Sequence, residues 1–356
     1  MNLDMKKDRI TERDRLQALF RRQPIDRLPF FVQGRAFAAM MTGFSTIDIY
    51  KDPEIAFRAQ LHTREMFGAM ERLTYSGGAF GAREFGGEVE MPTSQYSSAV
   101  SLKKPAVQSE EDALKLEVPN VKTAGTLPLM MRFSRLQEEH ELPITYQHGG
   151  ILTTLGYVTG VDRMCRWMLR KPEIVHHLCR VVTGFLIAIA EYWVDTFGPG
   201  RLLPVTGSPT ESNQIISPRQ FQEFCLPYMK EIYDKLTSLG VQHTYTHICG
   251  EQNLNLPYWS EITMGDPGIV SFGHEVDLKT ASCYFPNDII LGNVEPAVIQ
   301  AGTPKQVYEL SRICIEKGKR HVAGFILSPG CEMPAKAPPY NVYMMRKAID
   351  DFGWYG

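Results

Sequence analysis

Short apolar runs alternate with longer amphipathic stretches along almost the whole chain. LPFFVQG (28–34), AMERLTY (69–75), PITYQH (143–148), RLLPVT (201–206), VQHTYTH (241–247), GIVSFG (268–273), DIILG (288–292) and VAGFIL (322–327) have the length and bounding turn residues of buried strands. Between them lie helical patterns such as PEIVHHLCRVVTGFLIAIAEYWVDTF, SPRQFQEFCLPYMKEIYDKLTSLG and TPKQVYELSRICIEKGK. An earlier helix is predicted from Thr11, with Thr11 and Asp14 at capping-box spacing and apolar residues at 16, 19 and 20, ending before Pro24. Another runs from Pro53 to about Phe67, with Asp52 as its N-cap.

Eight strand-helix units predict an α/β fold, a (β/α)8 TIM barrel forming one domain over residues 1–356, with an N-terminal helical extension. Residues 76 to 128, rich in Gly, Ser, Pro and charge, fit no plain unit and read as an insertion after the second strand. In such a barrel the reactive side chains stand on loops at the carboxyl ends of the strands.

Composition narrows the function. With 38 basic and 40 acidic residues among 356, the formal charge is −2, and no long single-sign run offers a footprint for nucleic acid. The amino terminus lacks the apolar segment of a secretory signal, and the greasiest stretch, GFLIAIA at 184–190, is too short to span a bilayer, so a soluble cytoplasmic protein is expected. Seven scattered cysteines, an odd number, are expected to stay thiols, which leaves metal binding or burial as their use.

Two of those cysteines stand out. Side chains alternate along a strand, so His247 and Cys249 share a face, and Cys331 follows the last predicted strand closely enough to join them from a neighbouring loop. Two sulfurs and one imidazole nitrogen suit zinc, and an open fourth position marks a catalytic site. Glu275 is the candidate for that position, with His274 and Glu211 competing. Around the site, the strand ends offer Tyr146, His148, Glu211 and Tyr245 as catalytic groups, the Tyr and His able to give a proton to a leaving oxygen. Gln33, Arg35 and Asn213 are the candidate substrate-binding residues.

The segments SPTESNQIISPRQFQEFCLPYMKEIYDKL, HICG, IILGNVEPAVIQAGTPKQV and GFILSPGCEMPAKAPPYNV resemble the uroporphyrinogen decarboxylase superfamily over nearly the whole chain. The metal-free decarboxylases carry a histidine in a Gly-His-Gly context where this chain has Gly330, Cys331 and Glu332. Of their arginine-rich amino-terminal motif only Gln33, Gly34 and Arg35 are echoed. The corrinoid-dependent methyltransferase branch uses a His-x-Cys and a late Cys as zinc ligands, which His247, Cys249 and Cys331 match one by one. That resemblance implies zinc, a corrinoid carried by a separate partner protein, and methyl transfer. HICGEQNLNLPYW and the ending NVYMMRKAIDDFGWYG are most similar to methyltransferase I of bacterial O-demethylase systems, implying an aryl methyl ether as methyl donor. A coenzyme M type methylcobamide:thiol methyltransferase and a metal-free tetrapyrrole decarboxylase are the alternatives.

Overall fold

The computed structural model describes residues 7–70, 72–93 and 99–355. An antiparallel hairpin, β1 (Glu88–Glu90) and β2 (Ser101–Lys104), precedes six barrel strands in the chain: β3 (Ile144–Gln147), β4 (Leu202–Gly207), β5 (Tyr245–Ile248), β6 (Ile269–Phe272), β7 (Ile289–Val294) and β8 (Phe325–Pro329). These six pair in parallel in chain order, as helical crossovers between them require. Each falls within or beside the apolar run predicted for it.

The first two predicted strands enter the barrel as extended segments, a departure from the eight regular strands expected. Phe31 N donates to Leu327 O at 2.9 Å and Leu327 N to Pro29 O at 3.1 Å, which seats the first segment beside β8. Met70 N donates to Phe30 O at 2.7 Å, seating the second beside the first. On its other side the Leu73 carbonyl is taken by the side chains of Thr145 and Gln137, so this last seam is closed by side chains. Pro29 has no N–H to offer a ladder. The barrel therefore closes with six ladder strands and two extended staves, the architecture that the alternating pattern implied.

Two apolar layers result. Leu203, Val205, Tyr245, Ile269, Ile289, Leu291 and Ile326 point inward with Phe31 and Met70 and fill the barrel, while Leu16 and Leu19 of the capped N-terminal helix (Glu12–Phe20) close its lower end. Ile144, Tyr146, Leu202, Ile248, Val270, Phe272, Ile290 and Leu327 point outward beneath the helices. The N-terminal helix is pinned by Arg15, fully buried, whose Nε and Nη2 donate to Asp26 at 2.7 and 2.8 Å and whose Nη1 donates to Glu12 at 3.0 Å.

The insertion holds the β1–β2 hairpin and a capped helix, Glu110–Lys115, before the helix Leu127–Glu139. The GFLIAIA stretch proves to be part of a longer helix, Pro172–Phe197, whose 26 residues are long and apolar enough to cross a membrane by length and composition. Its Val175, Leu178, Val182, Phe185, Leu186, Ile189 and Trp193 are buried in the outer layer, which is how a core helix uses such residues.

Candidate metal centre

Strand parity builds the centre. On β5, Tyr245 and His247 face the barrel interior while Ile248 packs outward, and Cys249 continues the inward row just past the strand end. Gly250 then turns the chain with φ 74°, a left-handed conformation that favours glycine. Cys331 arrives from β8 through Gly330, where an added Cβ would sit 2.9 Å from His274 N, so glycine lets this loop come close. One ring nitrogen of His247 and the two sulfurs lie within 4.8 Å of one another, the only such group of three among the described residues.

The donor set fits a soft divalent cation. Cys249 Sγ and Cys331 Sγ are 3.8 Å apart, well beyond a disulfide bond of about 2.05 Å. Two thiolates bound tetrahedrally to one zinc at about 2.3 Å each would be separated by roughly that same 3.8 Å. Ser271, the register partner of His247 on β6, lies with its Oγ 3.0 Å from His247 Nδ1. With Nδ1 carrying the proton toward Ser271, the buried Nε2, which has no hydrogen-bond partner of normal geometry among the described residues, is left as the donor. Electrostatics point the same way: the Cys249 thiol bonding to its sulfur, and then the His247 ring, pull the Cys331 thiol well below its ordinary range. The same bond, with burial and the charges of Cys331, Glu275 and Glu211, pushes Cys249 up.

Beneath these ligands is a cavity of about 280 Å³. Gln33, Arg35 and Tyr245 line it, and Gln33 Oε1 accepts from Tyr245 Oη at 3.3 Å and from Arg72 Nη2 at 2.8 Å. Arg35 is held by Glu332, which accepts from its backbone N at 2.8 Å and its Nη2 at 3.0 Å.

Five other candidates do not reach the cavity wall. Tyr146 and His148 are on the outward face of the β3 row, Tyr146 stacked on Trp193 with ring centroids 5.1 Å apart; the inward residue is Gln147. Burial holds the His148 pKa down to about 4, so it is neutral at pH 7. Glu211 is buried and caps the helix Ile151–Thr159, accepting from Leu152 N at 2.8 Å, Thr153 N at 3.1 Å and Thr153 Oγ1 at 2.5 Å. Asn213 joins the loops after β4 and β5, its N donating to Glu251 O at 2.7 Å and its Oδ1 accepting from Leu254 N at 3.1 Å. Glu275 lies outside the three-ligand group; its Oε2 is 3.4 Å from His274 Nδ1, and its charge reaches Cys249 only through space.

Arg72, Ser271 and Glu332 are site residues that pattern reading passed over. Period-2 alternation would have flagged the first two, since Met70 and Arg72, and Ile269 and Ser271, share inward faces.

A closed α/β barrel presenting imidazole and thiols at the carboxyl ends of its strands has the layout of a barrel enzyme. The chain belongs to the uroporphyrinogen decarboxylase (URO-D) family, whose model matches residues 11–352. It is 28% identical over 353 residues to the methylcobamide:CoM methyltransferase MtbA of Methanosarcina acetivorans, covering 96% of this chain and 98% of that protein. A uroporphyrinogen decarboxylase of Myxococcus xanthus is 24% identical over 247 residues, covering 64% of this chain and 66% of that one. The barrel is shared with a methyltransferase from Methanosarcina mazei, at a TM-score of 0.82 with 19% identity over 96% of this chain and 99% of the other. A relative matched over nearly its whole length thus stands in the corrinoid methyltransferase branch of the family.

Proposed function

We propose that this protein is a zinc-dependent methyltransferase that moves a methyl group between a small substrate and the cobalt of a corrinoid held by a separate protein. The observation that carries this reading is the convergence of His247, Cys249 and Cys331 above a cavity of about 280 Å³. Such a cavity lies at the lower end of small-ligand pockets, well matched to a methyl-bearing molecule and poorly matched to a whole tetrapyrrole.

His247, Cys249 and Cys331 would hold the zinc, which when bound supplies Lewis acidity toward a heteroatom of the substrate. The chain's own residues do the rest. Ser271 fixes the imidazole ring through Nδ1, leaving Nε2 to face the metal. The depressed Cys331 thiol offers a thiolate at neutral pH. Tyr245, Gln33 and Arg72 form one hydrogen-bonded and stacked wall that orients the substrate and keeps water from its buried side. Arg35, tied to Glu332 beside Cys331, braces the loop that delivers the second sulfur.

As methyl donor the first reading is an aryl methyl ether, whose phenolate must be stabilised as it leaves. A thiol acceptor is the second reading, favoured by the methylcobamide:CoM activity named for the full-length relative. Both are tested by following cobalt absorbance with a corrinoid protein, offering aryl ethers and methylamines to Co(I) and thiols to methyl-Co(III). Transfer should stop on chelation and return with zinc. Undiminished transfer by metal-free protein would overturn the proposal.

A further inference from the structure

Arg72 is 4% exposed and sits on the wall of the cavity, yet among the described residues no carboxylate pairs with it. Its guanidinium lies 3.6 Å from the Tyr245 ring centroid and 4.3 Å from that of Phe31. Nη2 donates to Gln33, while Nε and Nη1 are buried without an acceptor. Burial pushes its pKa down to about 10, so the charge persists at neutral pH. Other buried arginines of this chain meet carboxylates: Arg15 meets Asp26, Glu12 and Asp8, and Arg27 meets Asp8 and Glu12. A buried cation without an anion is costly, and this one borders the substrate cavity.

We propose that Arg72 anchors an anionic group of the substrate, so that the cavity selects small organic acids, carboxylates or sulfonates, over their neutral analogues. This deepens the methyltransferase reading and rests on it for the identity of the reacting end. Guanidinium recognises such planar or tetrahedral oxyanions through paired N–H donors, and two of its nitrogens are unused here. Position supports the assignment. Tyr245, which the guanidinium covers, precedes His247 by two residues on the same inward face of β5, placing Arg72 about 7 Å deeper than the metal ligands. A bound acid would then carry its reacting oxygen or sulfur at one end and its charge at the other. Gln33 and Tyr245 act as positioning residues, since both hold the guanidinium and the first is bonded to each of the others.

The test is calorimetric binding to the zinc-loaded full chain of matched pairs: 4-methoxybenzoate against 4-methoxybenzamide, and 2-mercaptoethanesulfonate against 2-mercaptoethanol. At least one acid should bind about tenfold or more tightly than its neutral partner, the better pair distinguishing a carboxylate from a sulfonate source. Arg72→Met should erase the preference and Arg72→Lys should keep part of it. If the neutral member binds as tightly, if no probe binds, or if Arg72→Met retains the preference in a folded protein, the inference is overturned. The wild-type comparison needs no variant to fold. Because binding is the readout, a protein that lacks zinc or transfers no methyl would defeat the functional reading while the anion preference is still scored on the protein as purified.

Discussion

Removing the hydroxyl that orients His247 should loosen the metal without disturbing the fold. In Ser271→Ala the 3.0 Å contact to Nδ1 is lost, and among the described residues no other side chain is bonded to that nitrogen. The imidazole would then be free to rotate or to place its proton on Nε2, the nitrogen that must be bare to bind metal. Loss of such an outer partner costs about 10- to 100-fold in metal affinity, or roughly 1.4 to 2.8 kcal/mol. The folding cost should be smaller, about 0.5 to 1.5 kcal/mol, since one neutral hydrogen bond is removed and the change leaves only a small void. Competition against a chromophoric chelator reads the zinc affinity, and urea unfolding of the metal-free proteins reads the stability. Ser271→Thr, which keeps the oxygen, should retain most of the affinity. Zinc affinity within twofold of wild type in Ser271→Ala would refute the assignment of Nε2 as the ligand held in place by Ser271.

Cys331→Ser should reduce bound zinc well below one equivalent by elemental analysis, while the melting temperature of the metal-free protein moves little because residue 331 is exposed. Tyr146→Phe should leave methyl transfer unchanged and stability equal or up to about 1 kcal/mol higher, because the buried hydroxyl has no partner; a loss of turnover would return Tyr146 to the active site. Asp26→Asn should cost about 2 to 3 kcal/mol in denaturant unfolding, since it weakens the clamp on fully buried Arg15. Burial opposes the charge on Asp26, but Arg15 and the N–H groups of Arg9 and Arg27 hold its carboxyl well below the usual carboxylate range. Its stabilisation is therefore complete above the unfolded pKa of about 3.9 and is lost progressively as pH falls below that value, a loss the Asn variant should not show.

Sequence alone determined which atoms were available and how they were paired locally. The capping box at Thr11, the N-cap at Asp52 and, from β3 onward, the alternation of strand and helix are short-range properties, and each emerged as read. So did the shared face of His247 and Cys249, because a strand's two-residue period needs no knowledge of its neighbours. Which face points inward is another matter. Barrel strands are buried on both sides, so the polarity of PITYQH could not separate Gln147 from Tyr146 and His148; pairing of Thr145 with Leu203 and Gln147 with Val205 made that choice. Loop chemistry was similarly hidden: Glu211 has the residue type of an acid catalyst, but the helix Ile151–Thr159, distant in sequence, claims its oxygens. Tertiary structure also decided that Arg35 would find Glu332 while Arg72, among the described residues, would find aromatic rings and an amide, because charge neutralisation across a barrel depends on which loops meet at its mouth.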